Sequence, residues 1–166
     1  MEEYLLTRTL KNEIKLVPMT EALYDNLMKK YVADPLMCDA AFEYEKDVVA
    51  KVFQRKSNDK KRVWFAICQN LKVIGDVYLK NIDMEKKTAV LSIALANDQF
   101  KGKGYGTLVE KNILDYGFNE LGLTVIYADT IFRNVRSQHV LEKIGFRYIC
   151  EDKDFKYYKC SNVTVM

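Results

Sequence analysis

The sequence predicts an α/β domain of the α+β kind, in which one mixed, mostly antiparallel sheet is flanked by helices. Three observations carry that expectation. Apolar runs at 63–68, 73–79 and 89–95 follow one another with short polar turns between them, the pattern of an antiparallel meander. Past residue 100 the periodicity changes, and segments with helical spacing alternate with short apolar strands. The chain has 166 residues, enough to bury one real core and short for two, so a single domain over 1–166 is expected.

In chain order, 13–17 reads as a short strand that Pro18 closes, because proline has no N–H to give a ladder. Thr20 can then cap a helix that carries Leu23, Leu27 and Met28 on one face. Asp34-Pro35 is a break, and Val48, Val49, Val52 and Phe53 place a second helix over 44–55. A polar loop at 57–61 leads into the meander, whose turns fall at Gln69-Asn70 and around 83–87. Next come a helix over 105–121, a strand at 124–130, a helix at 134–144, and strands at 146–150 and 155–159.

Composition narrows the function classes. Apolar residues make up 49% and charged residues 30%, the balance of a folded globular chain. No apolar run reaches membrane-span length, and Met1-Glu2-Glu3 lacks the basic start and apolar core of a signal peptide. Cys38, Cys68, Cys150 and Cys160 lie far apart, and one histidine accompanies them, so neither a metal site nor a disulfide framework is expected. These features suit a cytoplasmic protein with reduced thiols. The net charge of +3 is mild and its basic clusters are local (58–62 and Lys86-Lys87), which argues against nucleic acid as a partner.

The segment Lys101-Gly102-Lys103-Gly104-Tyr105-Gly106-Thr107 stands apart from ordinary packing. Glycines at alternate positions strip side chains from a loop that opens a helix, where unpaired N–H groups and the positive end of the helix dipole suit a phosphate or pyrophosphate. The sequence contains no Gly-Lys-Ser/Thr, which excludes a P-loop. Gly102-x-Gly104-x-Gly106 also differs in spacing from the dinucleotide fingerprint. Downstream, Asn134-Val135-Arg136-Ser137 is followed by Val140-Leu141-Glu142-Lys143-Ile144-Gly145-Phe146. Asn134 can cap the helix it precedes, Gly145 can close it, and His139 neighbours its apolar face without lying in it.

With these segments in view the chain resembles the GNAT superfamily of acetyl-CoA-dependent N-acetyltransferases. Lys101 stands at the arginine or glutamine that opens the family's Arg/Gln-x-x-Gly-x-Gly/Ala motif, and 134–146 is similar to the family's second segment. Ile74-Gly75 and the 91–95 run sit where the family's third and fourth strands would. The likeness covers about Trp64 to the end, and the first 60 residues fit in rough pattern. Gln99 to Thr107 and Leu114-Asp115-Tyr116-Gly117-Phe118 look most like the ribosomal-protein N-terminal and spermidine acetyltransferase branch.

The resemblance implies a fold in which the family's fourth and fifth strands, here 89–95 and 124–130, splay apart. It implies that Ile93, Ala94 and Leu95 meet the pantetheine arm through their backbone, and that a strand N–H near Leu95 stabilises the tetrahedral oxyanion. The amides of Lys101, Gly102, Lys103, Gly104, Tyr105, Gly106 and Thr107 would hold the pyrophosphate, with Asn134 near the cofactor. Many relatives place a general-acid tyrosine where this chain has Leu141. In the ribosomal-protein branch a serine stands at Ser137, and the resemblance makes Ser137 the acid and part of the cofactor site. Some relatives carry a glutamate base where Val90 stands, which leaves Glu43, Glu45 and Asp76 as base candidates by position. The implied partners are acetyl-CoA and an amine acceptor received by 33–44 and 151–158, with no metal and no membrane, in a monomer or homodimer. A peptide N-terminus is the favoured acceptor, and a polyamine or small amine is the other. A non-catalytic acyl-CoA-binding or regulatory domain is the rival reading.

Overall fold

The computed structural model describes residues 7–163. Its elements are β1 (Arg8–Thr9), β2 (Ile14–Pro18), α1 (Glu21–Lys30), α2 (Lys46–Ser57), β3 (Val63–Gln69), β4 (Lys72–Asp83), β5 (Thr88–Leu95), α3 (Tyr105–Asp115), β6 (Val125–Ile131), α4 (Val135–Lys143), β7 (Arg147–Glu151) and β8 (Phe155–Ser161). The strands form one sheet in the order β1-β2-β3-β4-β5-β6-β8-β7. Every neighbouring pair is antiparallel except β5 and β6, which run parallel.

The mixed, mostly antiparallel sheet expected from the sequence is therefore present, and its interior strands explain why 63–68 reads as an unbroken apolar run. Both faces of β3 are covered. Phe65 and Ile67 pack with Val77, Leu79 and the α3 residues Val109 and Ile113, while Trp64, Ala66 and Cys68 pack with Tyr24, Leu27 and Val49 of α1 and α2. Burying each large apolar side chain contributes on the order of 1.5–3 kcal/mol, so these two layers hold the sheet between the helices. The Thr20 cap is made: its hydroxyl accepts from the Leu23 N–H at 3.2 Å.

Two elements depart from the sequence reading. Strand β1 pairs with β2 through two residues, Arg8 and Thr9, too few to leave a periodic signal. The helix expected over 105–121 is α-helical to Asp115 and then widens into a π-turn over Tyr116–Glu120. Packing accounts for the widening. A methyl group on Gly117 would meet Ile126 Cδ1 at 2.6 Å and Leu79 Cδ1 at 3.3 Å, so the turn is pressed onto the sheet.

Among the described residues, no helix is long and apolar enough to cross a membrane. Cys38 and Cys150 are exposed, Cys68 and Cys160 are buried, and all are free thiols.

Candidate active site

Strand β5 builds one wall of the site. It pairs with β4 along its length, from Asp83↔Thr88 to Gly75↔Leu95, but with β6 only at Thr88↔Val125, Ala89↔Ile126 and Val90↔Tyr127. Past Val90 the two strands diverge while β6 stays paired to β8 as far as Ile131↔Phe155. The sheet therefore opens as a wedge. N–H groups alternate between the two edges of a strand. The Ala96 N–H bonds the Ile74 carbonyl on β4 at 2.7 Å, which turns the amides of Leu95 and Ile93 toward the wedge and that of Ala94 toward β4.

The close contact of β4 and β5 behind the wedge depends on Gly75. A Cβ there would lie 2.4 Å from the Ala94 carbonyl oxygen and 3.1 Å from Leu95 Cα. No side chain fits that approach.

The glycine loop follows β5 through a short 3₁₀ turn over Asp98–Phe100, capped by the Asn97 side chain, which accepts from the Gln99 N–H at 3.0 Å. Gly102 (φ 72°) and Gly104 (φ 81°) adopt left-handed backbone that glycine takes without strain. Gly104 is the N-cap of α3 and has no side chain to offer its first N–H groups. Gly106 needs neither a special φ nor close protein contact, since a Cβ on it would meet nothing within 4 Å. Glycine in a helix costs about 1 kcal/mol relative to alanine, and no neighbour within the fold calls for it at this position.

The loop's cations differ. Lys103 is exposed. Lys101 is drawn in, and its ammonium donates to Asp34 Oδ2 at 2.6 Å and reaches Asp98 Oδ1 at 3.1 Å. Burial pushes Asp34 up, but the hydrogen bonds from Lys101 and the Leu36 N–H outweigh it and hold the carboxyl below its usual range. Burial likewise lowers Lys101, and its two carboxylate partners more than restore it, leaving the ammonium above its ordinary value. Tyr105 turns inward and accepts from Gln69 Nε2 at 2.7 Å, while Thr107 is half-buried in the first turn of α3.

Asn134 caps α4 by accepting from the Ser137 N–H at 3.2 Å, which sets Ser137 in the first turn, half-buried. Both residues line a cavity of about 120 Å³ inside the wedge. Ile93 and Leu91 of β5, Thr130 of β6, Leu141 of α4 and Glu110 of α3 line it too, and Met37 and Phe155 bring in the two segments expected to receive an acceptor. The structure thus gathers Ile93, Asn134 and Ser137 around one space, and the chain leads from β5 directly into the glycine loop. The base candidates do not join them. Asp76 is buried on the opposite face, accepting from Trp64 Nε1 at 2.9 Å, and Glu43 and Glu45 are exposed on the chain entering α2. His139 is exposed.

Glu110 went unnoticed in the sequence. It is 4% exposed, its Oε2 is closed to solvent, and among the described residues that oxygen has no hydrogen-bond partner. Burial alone pushes its carboxyl up to about 8, so it is neutral near pH 7. Thr130 Oγ1, in the same cavity, is also buried and has no partner among the described residues. The signal was present, because Glu110 falls beside Val109 and one turn before Ile113 and Leu114, within the apolar stripe of α3.

Residues 13–147 match the family model described as an acetyltransferase (GNAT) domain. A 51-residue stretch is 39% identical to the uncharacterized N-acetyltransferase YnaD of Bacillus subtilis (strain 168), covering 31% of this chain and 30% of that protein. Among solved structures, a chimera of the Vibrio cholerae spermidine N-acetyltransferase SpeG with hSSAT superposes with a TM-score of 0.78 at 21% identity, covering 90% of this chain and 95% of the other. The Vibrio cholerae spermidine N-acetyltransferase in complex with CoA and spermine gives a TM-score of 0.69 at 21% identity, over 90% and 95%. The family match takes in the wedge, the glycine loop and α4 together, and the chain belongs to the GNAT acetyltransferase family.

Proposed function

We propose that the chain is an acetyl-CoA-dependent N-acetyltransferase that transfers the acetyl group to a primary amine by direct attack. The observation that carries this reading is the edge of β5 past Val90, left unpaired by β6, which opens onto a cavity where Glu110 Oε2 and Thr130 Oγ1 have no partner among the described residues and which leads to the uncapped N-terminus of α3. An arm bearing amides can add to that edge as a further strand. The amides at 101–107 suit the pyrophosphate, and the bare Gly106 leaves room for it. On this reading the Leu95 N–H hydrogen-bonds the thioester carbonyl and stabilises the oxyanion as it forms, and the Ile93 N–H, two residues back along the same edge, meets the pantetheine arm. Ser137 donates a hydrogen bond to the departing sulfur.

The acceptor enters between 33–44 and the β7–β8 hairpin. None of Glu43, Glu45 and Asp76 lines the cavity, which favours an acceptor that is already partly neutral. A peptide α-amino group with a pKa near 8 is on the order of 10% neutral at pH 7, and a lysine or polyamine amine is well under 1%. Peptide N-termini are therefore the preferred substrates. Polyamines are the second class, brought in by the likeness to spermidine acetyltransferases.

Thiol release from acetyl-CoA, followed against peptides, polyamines, amino acids and aminoglycosides, tests the reading. Amine-dependent release that is fastest with peptide N-termini is expected. Tight CoA binding with no amine-dependent release would instead support a non-catalytic acyl-CoA-binding domain, the reading favoured by the inert Leu141 side chain in the cavity wall.

A further inference from the structure

The polar lining of the wedge contains one group that a simple CoA-binding cleft does not require. Glu110 lies one helical turn below Gly106 on the same face of α3, and it lines the cavity. Its surroundings are apolar or neutral. Leu91 and Ile93 come from β5, Ala128 and Thr130 from β6, Ser137 and Leu141 from α4, Met37 from the segment after α1 and Phe155 from the start of β8. Asp129 is the one other ionisable residue among those lining the cavity, and it is exposed, alternating with Thr130 along β6. No charge contributes to the state of Glu110, which burial alone determines.

A carboxyl kept in such a place without a partner destabilises the fold unless a ligand completes it. We propose that Glu110 is the proton source for the departing CoA thiolate, delivering it across the cavity that Ser137 lines. The proposal rests on the acetyl-transfer reading. The amine nitrogen attacks the thioester carbonyl carbon, the C–N bond forms and the C–S bond breaks. The electron pair of the broken bond leaves on sulfur and takes the Glu110 proton, giving the CoA thiol. The surplus proton of the acetylated amine goes to solvent, and solvent reprotonates the Glu110 carboxylate, so the cycle closes.

Magnitudes favour Glu110 over a hydroxyl alone. An ordinary glutamate, with a pKa near 4.3, is ionised at pH 7 and has no proton to give. Glu110, at about 8, keeps its proton near neutrality. An ordinary thiol has a pKa near 8.5, so the transfer is close to balanced, the condition under which general acids work best. A serine hydroxyl is too weak an acid to supply a thiolate unaided. It can pass on a proton that Glu110 provides.

The test compares the wild type with Glu110→Gln, which preserves shape and removes the acidic proton. Expected are a kcat at least tenfold lower with CoA affinity unchanged, and loss of the fall in kcat that the wild type shows as pH rises past about 8. Infrared difference spectra provide a readout independent of turnover. A protonated-carboxyl band absent from Glu110→Gln should shift when CoA is added and not when desulfo-CoA is added. A kcat within twofold of wild type, or a band indifferent to the CoA sulfur, overturns the proposal. Failure of the acetyl-transfer reading looks different: the wild type itself releases no thiol with any amine, and the infrared response to CoA still decides whether Glu110 meets the sulfur.

Discussion

Lys101 and Asp34 are 67 residues apart in sequence, yet their side chains meet at 2.6 Å and tie the glycine loop to the segment after α1. Arg133, at the turn before α4, holds the same segment through the Pro35 carbonyl at 3.1 Å and Asp39 at 2.8 Å. The stretch proposed to receive the acceptor is thus anchored on both parts of the proposed donor site. Lys101 therefore neutralises carboxylates beside the loop as well as adding charge to it.

That relationship gives two substitutions opposite signs. Lys101→Ala leaves Asp34 and Asp98 unbalanced near the proposed pyrophosphate site, and one unit of charge at ~8 Å with an effective dielectric of ~40 is worth about 1 kcal/mol. CoA binding should weaken several-fold and more so at low salt. Asp34→Asn should strengthen it while lowering stability by about 1–3 kcal/mol, because a hydrogen-bonded ion is lost. Calorimetric titration at two salt concentrations checks both.

Gly106 separates folding from binding. Gly106→Ala adds helix propensity worth about 1 kcal/mol and meets no protein atom within 4 Å, so the melting temperature should hold or rise. Gly106→Leu should keep the fold and weaken CoA binding at least tenfold by filling the space before α3. Thermal melting with CoA titration distinguishes the two effects. Unchanged CoA affinity in the leucine variant would remove the loop from the donor site.

Gly75→Ala tests the wall of the wedge. The new methyl group would sit 2.4 Å from the Ala94 carbonyl oxygen, backbone that yields only if β5 moves. A stability loss of about 1–3 kcal/mol is expected from overpacking, with a fall in kcat larger than the change in CoA affinity, because Leu95 shifts with Ala94. Denaturation and steady-state kinetics measure the pair.

Ser137→Ala removes the hydroxyl beside the cavity while leaving the Asn134 cap, which bonds its backbone N–H. Turnover should fall on the order of tenfold or more with little change in stability. An unchanged kcat would take Ser137 out of the mechanism.

Glu110 also sets a pH dependence of folding. Its pKa rises from 4.5 in the unfolded chain to about 8 in the fold. Between those values the native state holds a proton that the unfolded state has released, so stability falls as pH rises across that window and levels off above it. The slope approaches about 1.4 kcal/mol per pH unit. Urea denaturation at several pH values should show the decline in the wild type, and a flatter profile in Glu110→Gln.

Much of the fold was legible because its cues are local. Thr20 before an apolar helical face, the turns of the meander, and Asn134 and Gly145 bracketing a helix each act within a few residues. The same locality made the glycine loop readable, since an N-terminus bared of side chains is a property of seven consecutive positions. The site's interior was less legible. Ser137 could be named through a family likeness, whereas Glu110 went unread, because its place in the apolar stripe of α3 does not by itself say that its carboxyl faces a cavity.

The sequence by itself determined the order of the longer strands and helices and the uncapped start of α3, because backbone preferences and side-chain periodicity are written at short range. The tertiary structure decided where β5 and β6 part, that Lys101 is shared with Asp34, and that Glu110 is buried with its Oε2 unpartnered among the described residues. Those outcomes depend on which distant segments meet, and the electrostatic state of a carboxyl is fixed by the solvent and charges around it in space.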